Sequence, residues 1–120
     1  MKPAESSLSA VVRGPADADS TVIWLHGLGA NGTDFLPVIP HLGLGDTKFI
    51  FPNAPSMPVT INMGYVMPAW YDIRHMGPGP DRESEAGIRS SAKMIEALIN
   101  VEVERGVAPS RIVLVGFSQG

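Results

Sequence analysis

The ten residues Arg111 to Gly120 constrain this chain more than any other stretch. Ile112-Val113-Leu114-Val115 is an unbroken aliphatic run of the kind that forms a parallel strand buried on both faces. Gly116-Phe117-Ser118-Gln119-Gly120 follows without a gap and has the form G-x-S-x-G. In a nucleophile elbow the chain turns sharply from strand to helix with the serine at a strained apex. The flanking glycines are then required because a Cβ at either position meets neighbouring backbone. The pentapeptide alone is a weak signal, with an ordinary Gly-Ser turn as the alternative. Placed directly after a buried-type strand, it predicts the elbow.

Upstream, Thr21 to Leu25 is a second buried-type strand that runs into the glycine-rich His26-Gly27-Leu28-Gly29-Ala30-Asn31-Gly32. Leu8–Val12 is a weaker strand candidate. Thr33 or Asp34 is expected to cap a two-turn helix carrying Phe35, Leu36, Val38 and Ile39, and Phe49-Ile50-Phe51 is a third strand stopped by Pro52. Eight of the 11 prolines lie between Pro37 and Pro80, so the middle is neither regular helix nor central strand. Its apolar content (Val59, Ile61, Met63, Tyr65, Val66, Met67, Trp70, Tyr71) points to a packed loop, either over a site or simply shielding the core. Residues 84–105 form the clearest helix. Ile88, Ala92, Ile95, Ile99 and Val103 share one face, Asp81 or Ser84 caps its start, and Gly106 ends it. Full burial of the four larger side chains contributes about 6–12 kcal/mol before entropy is counted. Strand, helix, strand, helix, strand in this order predicts an α/β fold with a mostly parallel sheet and flanking helices.

An α/β sheet enzyme commonly needs about 200 residues or more in one domain, and this chain has 120. The expectation is therefore the N-terminal part of a single larger domain. Residues 21–51 supply strand, glycine loop, helix and strand. Residues 52–80 supply a substrate-side loop, 84–105 a helix, and 111–120 the last strand and elbow. The net charge of −3 gives no reason to expect nucleic acid or an anionic membrane as partner. The absence of cysteine excludes a thiolate nucleophile and a disulfide framework within this stretch. The first seven residues contain no apolar targeting core, and no segment is long enough to cross a bilayer, so a cytoplasmic protein is expected.

A serine hydroxyl is a weak nucleophile that needs a base. Its attack on an acyl carbon charges the carbonyl oxygen, which needs fixed donors. In an elbow one donor is the backbone N–H after the serine, here Gln119. The second comes from the loop after an earlier parallel strand, which His26-Gly27-Leu28-Gly29 occupies. A tight strand-to-helix connection is the plainer reading of those glycines.

Six collinear motifs add a resemblance. They are His26-Gly27-Leu28-Gly29, Pro52-Asn53-Ala54-Pro55, Pro58-Val59-Thr60-Ile61-Asn62, Met67 to Ile73 (Met-Pro-Ala-Trp-Tyr-Asp-Ile), Glu85-Ala86-Gly87-Ile88 and Gly116 to Gly120. Between Thr21 and Gly120 the chain resembles the phospholipase/carboxylesterase family of α/β hydrolases, which includes the acyl-protein thioesterases. The resemblance implies an α/β-hydrolase fold, incomplete at its C-terminus. It implies Ser118 as nucleophile and the N–H groups of Leu28 and Gln119 as the oxyanion hole. It also implies that the Trp70 loop and the Pro58–Met63 segment line the acyl-binding side, with Trp70 and Met63 as substrate-binding residues, although Trp70 serves equally well as a core anchor. No cofactor or metal is implied. The implied substrate is a small ester or thioester, an acylated protein or a lysophospholipid, and a homodimer is allowed.

The chain departs from the family pattern in one respect. In this fold the triad order is Ser, then Asp or Glu, then His, whereas His26, His41 and His75 all precede Ser118. His26 is expected to hold the oxyanion loop, His41 to be solvated, and His75 is the one stand-in base available. Asp72 reads as a loop-fixing carboxylate rather than the triad acid. The triad acid and base are expected after residue 120. The competing readings are another α/β hydrolase, such as a peptidase or acyltransferase, and a non-catalytic fragment or binding module without the base.

Overall fold

The computed structural model describes residues 8–120. Six strands and one long helix follow one another along the chain: β1 (Ala10–Arg13), β2 (Thr21–Leu25), β3 (Lys48–Pro52), β4 (Ser56–Val59), β5 (Tyr65–Pro68), α1 (Glu85–Arg105) and β6 (Ile112–Gly116). The main sheet has the order β1-β3-β2-β6. β2 runs parallel to both β3 and β6, and β1 joins the far edge antiparallel to β3. In register, Ile23 lies opposite Ile50 on one side and Leu114 on the other. The parallel arrangement read from the sequence is thus present, with one antiparallel strand added.

Period-two alternation sorts the strand side chains. On one face of the sheet Trp24 stacks on Phe35 at 5.0 Å between ring centroids, and Phe51 lies 6.1 Å away. On the other face Thr21 points to α1, where its hydroxyl donates to Glu102 Oε1 at 2.7 Å. Glu102 also accepts from Lys48 Nζ at 3.0 Å and from Arg105 NH2 at 2.7 Å. One buried carboxylate in the last turn of α1 therefore fastens the helix to the starting residues of β2 and β3.

Ser84 caps α1, its hydroxyl accepting from the Gly87 N–H at 3.1 Å. Gly106 ends the helix in the left-handed region at φ 111. The apolar face is only partly covered. Ile95 is buried with Ala54 and Trp70, but Ile88 and Val103 stay 41% and 39% exposed. The full hydrophobic gain expected from that face is not realised within these residues. A groove of about 440 Å³ runs along it, lined by Leu25, Ile88, Ile95, Ile99 and Leu114 among others.

Three local expectations change. The segment after the glycine loop is a 3-10 helix, Leu36–His41, with no side-chain cap. Asn31 instead closes the preceding turn, accepting from the Thr33 N–H at 2.8 Å, and Pro37 and Pro40 deny the α-helical bonding pattern. The proline-rich middle is not a loop throughout, for β4 and β5 form a separate antiparallel hairpin. Finally β6, central in composition, is an edge strand among the described residues, paired with β2 alone and with Val113 and Leu114 each 52% exposed.

An open, apolar, uncharged edge recruits other chains. Residues 1–120 expressed alone are expected to self-associate, and Leu114→Lys on that edge is expected to reduce the association. Light scattering and size-exclusion chromatography check this, and a monodisperse monomer for the unaltered stretch counts against it.

Candidate active site

The elbow is built by steric necessity at its glycines. A Cβ on Gly116 would sit 2.5 Å from the Gly120 carbonyl oxygen, and one on Gly120 would collide with the Leu25 carbonyl oxygen. The turn is pinned by Phe117 N–H to Leu25 O at 3.1 Å and Gly120 N–H to Phe117 O at 3.0 Å. Between them Ser118 takes φ 59, a left-handed conformation that side chains rarely adopt, and its side chain is exposed. Strain of this kind costs about 1–3 kcal/mol and persists where the surroundings enforce it.

The glycine loop packs directly on this turn. A Cβ on Gly27 would lie 3.4 Å from Ser118 Cβ. Leu28, Ser118 and Gln119 line one cleft of about 510 Å³. Among the described residues no acceptor takes the backbone N–H of Leu28 or of Gln119. Unpartnered N–H groups beside a serine are the kind of donors that a developing oxyanion needs.

His26 holds the loop from behind. It is 1% exposed, its Nε2 accepts from the Ala54 N–H at 3.0 Å, and its Nδ1 therefore carries the proton donated to Gly27 O at 2.7 Å. Both ring nitrogens are occupied, so His26 has none to offer the serine. Asn53 helps, its Oδ1 accepting from the Gly32 N–H at 2.7 Å. The Pro52 to Pro55 motif thus fixes both ends of the glycine loop.

Trp70 is a core residue. It is 3% exposed, its indole N–H donates to His26 O at 2.8 Å, and it lines the groove against α1 rather than the Ser118 cleft. Met63 stands at the hairpin tip in a left-handed conformation, 93% exposed, and does not line the cleft either. The wall of the Ser118 cleft is formed instead by other residues of the same two stretches and the segment that follows. Ile61 and Asn62 come from the 3-10 turn at residues 60–62, and Tyr71, Ile73 and Met76 from the segment after Trp70. Within that turn Ile61 is half-buried, while Asn62 and the following Met63 are exposed.

Asp72 positions that wall, accepting from the Thr60 N–H at 2.7 Å and the Thr60 hydroxyl at 2.6 Å. The Thr60 hydroxyl is the main cause that holds its carboxyl below the ordinary range. Asp72 is thereby a loop-fixing group. His75 is half-buried, lies 3.3 Å from Pro80 O through Nε2, and does not line the cleft. His41 is exposed at the end of its short helix. No cluster of metal-ligating side chains occurs among the described residues.

The side chain of Gln119 has a role that sequence reasoning missed. Its Oε1 accepts from the Trp70 N–H at 2.8 Å and its Nε2 donates to Tyr71 O at 2.7 Å. The amide behaves as a short piece of strand, bolting the elbow to the segment after β5. Gln119→Leu keeps the volume but leaves both backbone groups without partners. It is expected to destabilise by about 2–4 kcal/mol, read from urea unfolding of the complete protein. A change below about 0.5 kcal/mol counts against the clamp.

A mostly parallel sheet, a strand ending in a left-handed serine between two obligatory glycines, and a glycine loop against it together define an α/β hydrolase. The chain belongs to the Phospholipase/Carboxylesterase family, whose sequence profile matches residues 7–120. It is 42% identical over 120 residues to acyl-protein thioesterase 1 of Cryptococcus neoformans var. neoformans serotype D, covering 96% of this chain and 50% of the relative. It is 40% identical over 109 residues to acyl-protein thioesterase 1 of Gibberella zeae, covering 84% and 46%. Among solved structures, Arabidopsis thaliana SOBER1 superposes with a TM-score of 0.76 at 31% identity, covering 83% of this chain and 50% of that one. Acyl-protein thioesterase 2 of Zea mays gives 0.72 at 30%, covering 94% and 47%. The chain therefore spans about half the length of the curated relatives it matches. No helix among the described residues is long and apolar enough to cross a membrane.

Proposed function

We propose that the complete protein is a serine carboxylesterase or thioesterase that works through an acyl-enzyme on Ser118. The observation that supports this reading is that the left-handed Ser118 lines one cleft with Leu28 and Gln119, whose backbone N–H groups have no acceptor among the described residues. Residues 1–120 form the N-terminal part of the catalytic domain, and the triad acid and base come from chain that follows Gly120. Family membership and the twofold greater length of the relatives support this placement.

In the reaction, Ser118 Oγ attacks the acyl carbon while the base takes its proton. The carbonyl oxygen becomes an oxyanion held by the Leu28 and Gln119 N–H groups, each worth about 2.7–4 kcal/mol at the transition state. Collapse expels the alcohol or thiol, which receives the proton from the base, and water then cleaves the acyl-enzyme by the same route. The cleft wall of Ile61, Tyr71, Ile73 and Met76 is apolar enough to take a short or medium acyl chain. Small esters, thioesters and acylated proteins are the substrate classes that the thioesterase relatives suggest. The cytoplasmic location is part of the same proposal, checked by fractionating cells that carry the tagged protein.

A fluorophosphonate probe tests the assignment. It is expected to label the complete protein on the peptide containing Ser118, as read by mass spectrometry. Labelling on another residue overturns it.

A further inference from the structure

The excursion between Ile73 and Glu83 returns to pair with itself. Ile73 and Glu83 form an isolated antiparallel bridge, and the Arg74 N–H donates to Arg82 O at 2.8 Å. Arg74 reinforces the return, its guanidinium donating to Asp81 O at 3.1 Å. This closure sets Arg82 on the wall of the Ser118 cleft, and Arg82 is the one charged side chain among the described residues lining it. Its guanidinium is poorly satisfied by the protein. Nε lies 3.3 Å from Glu83 Oε2 but without hydrogen-bond alignment, and that buried N–H has no acceptor among the described residues. The terminal nitrogens donate to no group among the described residues. Both members of the Arg82–Glu83 pair are 39% exposed, and an ion pair so placed contributes little and exchanges readily for a better one.

An incompletely paired guanidinium on an otherwise uncharged wall is a fork for an oxyanion, and carboxylate and phosphate both match its geometry. We infer that Arg82 makes the cleft selective for esters or thioesters that carry an anionic group, a carboxylate or a phosphate, within the same molecule as the bond cleaved at Ser118. The inference rests on the hydrolase reading for the cleavage but not for the binding. In this role Arg82 orients the substrate's charged end, so its contribution belongs to specificity.

The test uses the complete protein and matched substrates. One arm compares hexanoate with adipate monoesters of a common alcohol, which puts the charge on the acyl side. A second compares monoacyl glycerol with monoacyl glycerol phosphate, which puts it on the leaving group. In at least one arm the anionic member is expected to have the higher kcat/KM, and the favoured arm tells which side of the scissile bond faces Arg82. Arg82→Gln is expected to lower kcat/KM for that anionic substrate about tenfold and to change its neutral partner less than twofold. Arg82→Lys, which keeps the charge but loses the fork, is expected to retain part of the preference. Equal losses on charged and neutral substrates, or no preference for charge in either arm, overturn the inference. Calorimetric titration with adipate and with glycerol phosphate gives a readout independent of turnover. Wild type is expected to bind one of them about tenfold more tightly than the Arg82→Gln variant, and failure of both to distinguish the two proteins also overturns it. A wild type that fails to hydrolyse neutral esters and leaves Ser118 unlabelled counts against the hydrolase reading alone, with the titrations still deciding on Arg82.

Discussion

Ser118→Ala in the complete protein is expected to lower kcat by about 10⁶, leaving the roughly 10³–10⁴ over water that binding and an oxyanion hole supply without a nucleophile. The size follows from covalent catalysis, for among the described residues that line the cleft only Ser118 and Tyr71 carry a hydroxyl. Alanine retains a Cβ, so the left-handed strain at φ 59 is little changed and the fold is expected to melt close to wild type. The substitution therefore separates chemistry from stability. Loss of turnover and of fluorophosphonate labelling at an unchanged melting temperature is the expected result. Retention of more than about one per cent of kcat means that the nucleophile lies elsewhere.

The second large effect is on folding. Glu102 has a side chain 2% exposed, facing Lys48 and Arg105 at 15% and 26%. Replacing it with alanine removes the shared acceptor and leaves two largely covered cations facing each other with the Thr21 hydroxyl unpaired. A loss of about 3–5 kcal/mol is expected, a large part of the 5–15 kcal/mol typical of a whole domain. The same site sets a pH dependence. Burial pushes the Glu102 carboxyl up, but hydrogen bonds from Arg105, Thr21 and Lys48 together outweigh it and hold the group down to about 2, from an ordinary 4.5. A folded-state value below the unfolded one means stability that is complete above about 4.5 and fades as the pH falls toward 2. Urea unfolding of wild type and Glu102→Gln is therefore expected to show a gap at pH 7 that narrows between pH 4.5 and 2.5. A gap that stays constant over that range contradicts the ionised, triply bonded state of Glu102.

How far these features were legible in the sequence depends on how far apart the interacting residues lie. The sharp turn after the last strand was legible because its parts are five consecutive residues, and the clashes at Gly116 and Gly120 arise within one turn and its neighbouring strand end. The capped helix was legible because Ser84, the 3.6-residue apolar period and Gly106 are all local signals. The Gln119 clamp was not, because its partners lie 49 and 48 residues upstream, and nothing in the pentapeptide distinguishes a side chain that bonds backbone from one facing solvent. Within the expected Pro58–Met63 segment, which apolar residue lines the cleft was not legible either, for Ile61 lines it while Met63, two positions on, is 93% exposed. The Arg82 position depended on the bridge between Ile73 and Glu83, a pairing invisible in a stretch rich in glycine and proline.

Short-range sterics and periodicity determined the class of fold, the strand that feeds the serine, the glycine loop that faces it and the departure of all three histidines from the triad order. Tertiary packing decided the rest. It turned Trp70 into a core anchor through a hydrogen bond to His26 O, and made Asp72 the clasp of the cleft wall through Thr60. It drew Glu102 into a buried pair with strands 81 and 54 residues upstream, and left a strand of central composition at an open edge. The physical reason is that a backbone conformation responds to the few residues beside it. Burial and hydrogen-bond partnership are properties of what the folded chain brings alongside.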